Sequence, residues 1–141
     1  MADKDIVILH ARTPGAKAET RGGTFTGVVW GDPLLPAQDN VLMNTVYFSP
    51  CSRTYWHSHE GGQMLHVTSG EGWVCQRGEA PIKIQQGDTI WTPPGTDHWH
   101  GSDNESFMVH IAMSLGTTNW LEEVGVDEFD GLLEQVKKAD S

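Results

Sequence analysis

The chain has 141 residues and a formal net charge of −10, with 19 acidic side chains against 9 basic ones. A single domain of that length buries about two thirds of the surface its unfolded chain exposes. The acidic balance argues against a face that tracks nucleic-acid phosphates, and the lack of any run of eighteen apolar residues argues against a membrane span.

At the N-terminus, Asp3 and Asp5 precede a short apolar run from Ile6 to Leu9, which is not the pattern of a secretory signal. Two cysteines, Cys51 and Cys75, make no disulfide framework and fit a reduced, cytoplasmic setting. Residues 1–23 read as an N-terminal arm. From residue 24 to 116 the chain reads as an all-β barrel, because short apolar or alternating runs recur there without helical segments between them. "TFTGVVW", "NVLMNTVYF", "GQMLHVTS", "GWVCQRG", "PIKIQ", "DTIWTPP", "HWHG" and "SFMVHIAMS" are the expected strands. "GDP", "SGEG", "RGEAP", "QQGD", "PPGTD" and "GSDNES" are the expected turns. This spacing predicts an antiparallel sandwich or barrel.

Residues 117–141 change character and read as a helical tail. Thr118 or Asn119 is expected to cap a short helix from Trp120 that Gly125 ends. A second helix is expected from Asp127, with Phe129, Leu132, Leu133 and Val136 on one face. The tail should pack on the barrel or on a partner subunit.

Seven histidines are many for this size, and four of them fall in the pairs "HSH" and "HWH". Residues two apart on a strand share a face, so His57 and His59 point one way, as do His98 and His100. Imidazole is the commonest protein ligand for metals, and such a pair can supply two bonds without backbone strain. Two pairs in one small β domain, each beside a glycine-rich turn, favour a metal site.

"HSHEGGQ" followed by "LHVTSGEGWV" resembles the first cupin motif, and "GDTIWTPPGTDHWH" resembles the second. The resemblance implies a double-stranded β-helix, or jelly-roll barrel, holding one divalent metal ion. Carried over position by position, the ligands are His57, His59, Gln63 and His98. Most cupins have glutamate where this chain has Gln63; four neutral ligands leave the ion its full charge and make it a stronger Lewis acid.

Together with "VHIAMS" and "NWLEEVGVDEF", these segments look like the small manganese cupins with hydroxynitrile lyase activity, which reversibly split a cyanohydrin into an aldehyde and hydrogen cyanide. That likeness implies one manganese ion per chain, with iron, nickel or zinc as alternatives. It implies His100 as the acid/base and His110 as a residue that orients substrate. The implied pocket residues are Asn44, Val46 and Ser114, and strand parity with His110 adds Met108. Ser114 stands where that branch usually has glutamine.

His66 is expected to face away from the metal, and Arg53 either to attract a carboxylate or to hold its loop. Trp91 and Trp99 are expected in packing or subunit contacts. Two other functions use the same platform: a metal-dependent dioxygenase, and a cupin that binds a small ligand without chemistry. The expected partners are a small-molecule substrate and further copies of the chain, as a homodimer or homotetramer whose barrels cover their sheet edges. Trp30, Trp99 and the C-terminal helices offer apolar surface for that association.

Overall fold

The structure is a computed structural model that describes residues 5–10 and 18–140; the rest of the expected N-terminal arm, residues 1–4 and 11–17, lies outside the described residues. Its strands are β1 (Glu19–Arg21), β2 (Phe25–Thr26), β3 (Val29–Gln38), β4 (Val41–Phe48), β5 (Arg53–Thr54), β6 (His57–His59), β7 (Gln63–Gln76), β8 (Ile82–Gln85), β9 (Thr89–Thr92), β10 (His98–Ser102), β11 (Met108–Leu115) and β12 (Thr118–Trp120). One helix, α1 (Val126–Asp140), closes the order. It is too short to cross a membrane.

Along β11 every second side chain is buried, namely Met108, His110, Ala112 and Ser114. This period of two marks a strand with one face in a core. All pairings are antiparallel. In one layer β1, β3, β4, β11 and the first part of β7 lie side by side, with β9 beyond. The second part of β7 passes into the other layer, between β8 and β10, where β5, β2, β6 and β12 follow. The result is the expected all-β, near-closed barrel.

Two stretches read as turns run straight through as strand. "GDP" lies inside β3 and pairs with Val46, Thr45 and Asn44 in unbroken register, and the strand's irregularities come only after Pro33, on either side of Leu35. "SGEG" lies inside β7, where the strand changes layers. Gly70 makes that crossing with φ +75, and a Cβ there would run into the carbonyl oxygen of Phe107.

The helix expected from Trp120 does not form. Residues 118–120 are β12 instead, in register with β6 as Thr118↔His59, Asn119↔Ser58 and Trp120↔His57. The pairing demand of the β6 edge outweighs the local capping signal. Gly125, expected to end a helix, accepts the first bond of α1 from the Phe129 amide at 2.9 Å. The second expected helix is α1, and Phe129 and Leu133 are buried on its inner face.

Apolar side chains form two cores. Inside the barrel, Val29, Val46, Phe48, Val67, Ile84 and Met108 pack together. Outside it, α1 closes a second cluster of Trp56, Cys75, Trp99, Val124, Phe129 and Leu133 over one layer. Trp99 and the helix are therefore spent within the chain, while Trp30 remains 44% exposed on the opposite layer. Trp91 is also exposed. Arg53 holds its surroundings: its Nε donates to the Val124 carbonyl at 2.9 Å and its guanidinium lies 4.4 Å from the centre of the Phe129 ring.

Replacing Gly70 by alanine combines a positive φ with a backbone clash, and should destabilise by about 3 kcal/mol or more. Gly78→Ala, at φ +87 with open space around it, should cost only about 1–2 kcal/mol. Urea midpoints for the two variants check this; equal losses would refute the proposed role of the crossing.

Candidate metal centre

Antiparallel pairing of β10 with β6 sets His98 directly opposite His57. Their rings are 4.2 Å apart between centroids, with His59 at 4.9 Å from His57 and 5.5 Å from His98. The turn after β6 brings the chain back at once. Gly62, at φ +91, lets the backbone pass against Trp91 and the Thr92 carbonyl, so that Gln63 begins β7 beside the histidines. Its Oε1 lies 3.1 Å from His98 Nε2, and its Nε2 donates to Ser114 Oγ at 3.1 Å.

The outer nitrogens of these rings are tied to oxygens. His57 Nδ1 donates to the Tyr55 carbonyl at 2.9 Å, and His98 Nδ1 donates to the Thr96 carbonyl at 2.9 Å. A carbonyl only accepts, so both protons sit on Nδ1 and each Nε2 presents a lone pair. His59 Nδ1 lies 3.1 Å from the Thr118 hydroxyl, and its buried Nε2 has no partner. An orphaned buried nitrogen beside two lone pairs and an amide oxygen is a donor set suited to a divalent cation.

His100 differs. Its Nδ1 is 3.0 Å from His110 Nε2, so one imidazole is bonded to another, and its own Nε2 is buried without a partner. Ring nitrogens of His57, His98 and His100 come within 4.8 Å of one another, and this buried three-histidine group can hold a metal ion. The Phe48 ring lies beneath the His100–His110 pair, 6.0 and 5.2 Å from the two rings.

Burial pushes all five pKa values down. His59 and His110 fall from 6.5 to about 4. His98 is lowered too, while His57 and His100 lie well below the ordinary value. Desolvation is the leading cause for each ring, and neighbouring imidazoles add to it for His57, His59 and His100. Near neutral pH the cluster is therefore uncharged, with its lone pairs ready.

The structure thus brings His57, His59, Gln63, His98, His100, His110 and Ser114 to one place. Val46 lies opposite His110, and Asn44 lies opposite Ala112, one inward position nearer Ser114. Met108 sits deeper, in the apolar core that floors the barrel. His66 faces outward and bonds Thr89. Buried Cys75 is pushed up to about 11, chiefly by desolvation, and is an inert thiol.

Sequence reasoning missed Thr118, which fixes His59, and Trp120, whose ring is 4.7 Å from that of His57. The alternating "TNW" carried a strand signal that the capping pattern masked. Beside Thr118, a surface depression of about 500 Å³ is lined by Asn40, Leu42, Gly116 and Thr118 among others.

Comparison with known proteins agrees with this geometry. The (R)-mandelonitrile lyase of Granulicella tundricola is 38% identical over 129 residues, spanning 86% of this chain and 98% of that protein. A crystal structure of a cupin-like protein from Thermotoga maritima superposes with a TM-score of 0.77 at 35% identity, covering 82% of this chain and 94% of that one. A polyketide cyclase from Streptomyces resistomycificus shares the fold at 16% identity, with a TM-score of 0.69 and coverage of 88% and 92%. Residues 44–113 match the family described as the cupin domain. With its barrel, its buried histidine cluster and these relatives in agreement, the chain belongs to the cupin family.

Proposed function

We propose that this protein is a metal-dependent lyase that reversibly cleaves a cyanohydrin to an aldehyde and hydrogen cyanide. Support comes from the relative that bears the name mandelonitrile lyase and matches most of the chain. The single observation that carries the reading is the division of labour among the histidines. Three have Nδ1 tied to oxygen, as metal-ligating histidines almost always do, whereas His100 is held by a second imidazole and leaves its own Nε2 unpartnered.

In this reading His57, His59, His98 and Gln63 hold one divalent ion, manganese by likeness. A ring nitrogen of His100 is as close to those of His57 and His98 as a ligand would be, but its Nδ1 is bonded to an imidazole where the other three meet oxygen. When bound, the ion supplies Lewis acidity for an oxygen of the substrate. His100 Nε2 takes the hydroxyl proton of the cyanohydrin, and the oxygen's electron pair forms the carbonyl as the carbon–carbon bond to the nitrile breaks. Cyanide leaves with that bonding pair and receives the proton from the imidazolium, giving hydrogen cyanide and a neutral ring. A desolvated His100 is unprotonated near neutral pH, and its unpartnered Nε2 is the nitrogen that can accept the proton. His110 holds the His100 ring in place through their shared hydrogen bond, a positioning role in place of the direct substrate contact implied by the resemblance. Leu42, Asn44, Val46 and Ala112 share the inward face of the neighbouring strands and wall the space for the organic group.

Stripping the metal should lower the rate of aldehyde release from mandelonitrile at least about 100-fold, and Mn²⁺ should restore it. Full activity in metal-free protein would sink the lyase reading, and oxygen uptake with ferrous iron would favour a dioxygenase. His100→Ala should cut kcat about 10²–10⁴-fold while leaving the bound Mn²⁺ unchanged. If metal content falls in parallel, His100 is a ligand and the assigned proton transfer is wrong.

A pH dependence follows from the lowered histidines. The unfolded chain takes up protons first, near 6.5, whereas folded His59 and His110 resist until about 4. Metal-free protein should therefore keep its full stability above about pH 6.5. It should lose stability as the pH falls towards 4, by at most about 1.4 kcal/mol per unit for each such ring. Chemical denaturation at pH 7.5, 6 and 5 measures this, and a flat profile contradicts it.

A further inference from the structure

The amide of Gln63 has two ends that differ only in chemistry, and the pocket treats them differently. Its oxygen lies 3.1 Å from His98 Nε2. That nitrogen is a bare lone pair, because the ring proton is committed to the Thr96 carbonyl. Two acceptors at this separation repel unless a cation stands beside them. Turning the amide over would place its NH₂ against His98 and cap the lone pair that an ion needs. The oxygen-inward orientation is therefore the one compatible with a metal, and it leaves two N–H donors facing away in a buried space.

Ser114 meets one of them. Its hydroxyl oxygen accepts from Gln63 Nε2 at 3.1 Å, and the two residues lie directly opposite each other across the β7–β11 pairing. Gln63 is 4% exposed and Ser114 is 7% exposed, so bulk water is a poor substitute partner. The hydroxyl is delivered by strand register, which fixes its position more tightly than a loop would.

We propose that Ser114 is a positioning residue for the metal: it holds the Gln63 amide with its oxygen turned towards the ion. This rests on the reading of Gln63 as a ligand. It shifts Ser114 from the substrate wall, where family likeness sets it, to the support of the coordination sphere. It also explains how a neutral ligand works here. A carboxylate presents oxygen whichever way it turns, whereas an amide serves an ion only with its oxygen inward. The ion selects that orientation, and Ser114, accepting from Nε2, holds the amide in it.

The test uses Mn²⁺ alone, with affinity measured by equilibrium dialysis and metal analysis, so no catalytic assay enters. Gln63→Ala should weaken binding, and Ser114→Ala should weaken it about 10- to 100-fold. Ser114→Thr, which keeps the hydroxyl, should remain within about threefold of the parent. In a Gln63→Glu background, Ser114→Ala should change affinity less than about threefold, because a carboxylate needs no orienting. Unchanged affinity in Gln63→Ala removes Gln63 as a ligand and the proposal with it. Weak binding in Gln63→Ala but normal binding in Ser114→Ala overturns the proposal alone. So does equal loss in the alanine and threonine variants at 114. Thermal unfolding of each variant identifies any loss that reflects misfolding, and the Gln63→Glu pair then decides from two chains compared within one background.

Discussion

Desolvation of imidazole is the constraint on which the rest of the structure depends. A buried histidine ring cannot readily carry charge, so it stays neutral and has one nitrogen that donates and one that accepts. Fixing the donor fixes the other lone pair. The carbonyls of Tyr55 and Thr96 do this for His57 and His98. The backbone that supplies them is the irregular stretch just before β6 and just before β10, so the chemistry of the centre is written into main-chain geometry. Pairing of β6 with both β10 and β12 keeps those oxygens in place.

Most of the barrel was legible because period-two alternation and glycine-rich turns are local signals. The inward faces of "HSH" and "HWH" follow from strand parity alone. What stayed hidden depended on partners distant in sequence. "TNW" carries capping residues and looks like a helix start, yet it forms β12 because the β6 edge needs a neighbour. "GDP" and "SGEG" look like turns, yet both lie within long strands, the first in regular pairing with β4 and the second where β7 changes layers beside a register shift. The His100–His110 bond was likewise illegible. It joins an inward position on β10 to one on β11 across the barrel, and no spacing rule predicts contact there.

Construction and chemistry are divided between the two apolar clusters. The outer cluster binds α1 to the barrel through Phe129, Leu133 and Val124, and Arg53 joins it with its charge delocalised over an aromatic face. Trp99 belongs there, although it lies between two site histidines, because odd and even positions on β10 serve opposite faces. A single five-residue strand thus contributes to the histidine centre on one side and to the helix seat on the other.

The inner cluster has a different consequence. Val29, Phe48 and Met108 are 0–1% exposed and seal the barrel beneath the histidines. A floor packed this tightly leaves no way through from below, so whatever reaches the histidines enters and leaves without crossing that core.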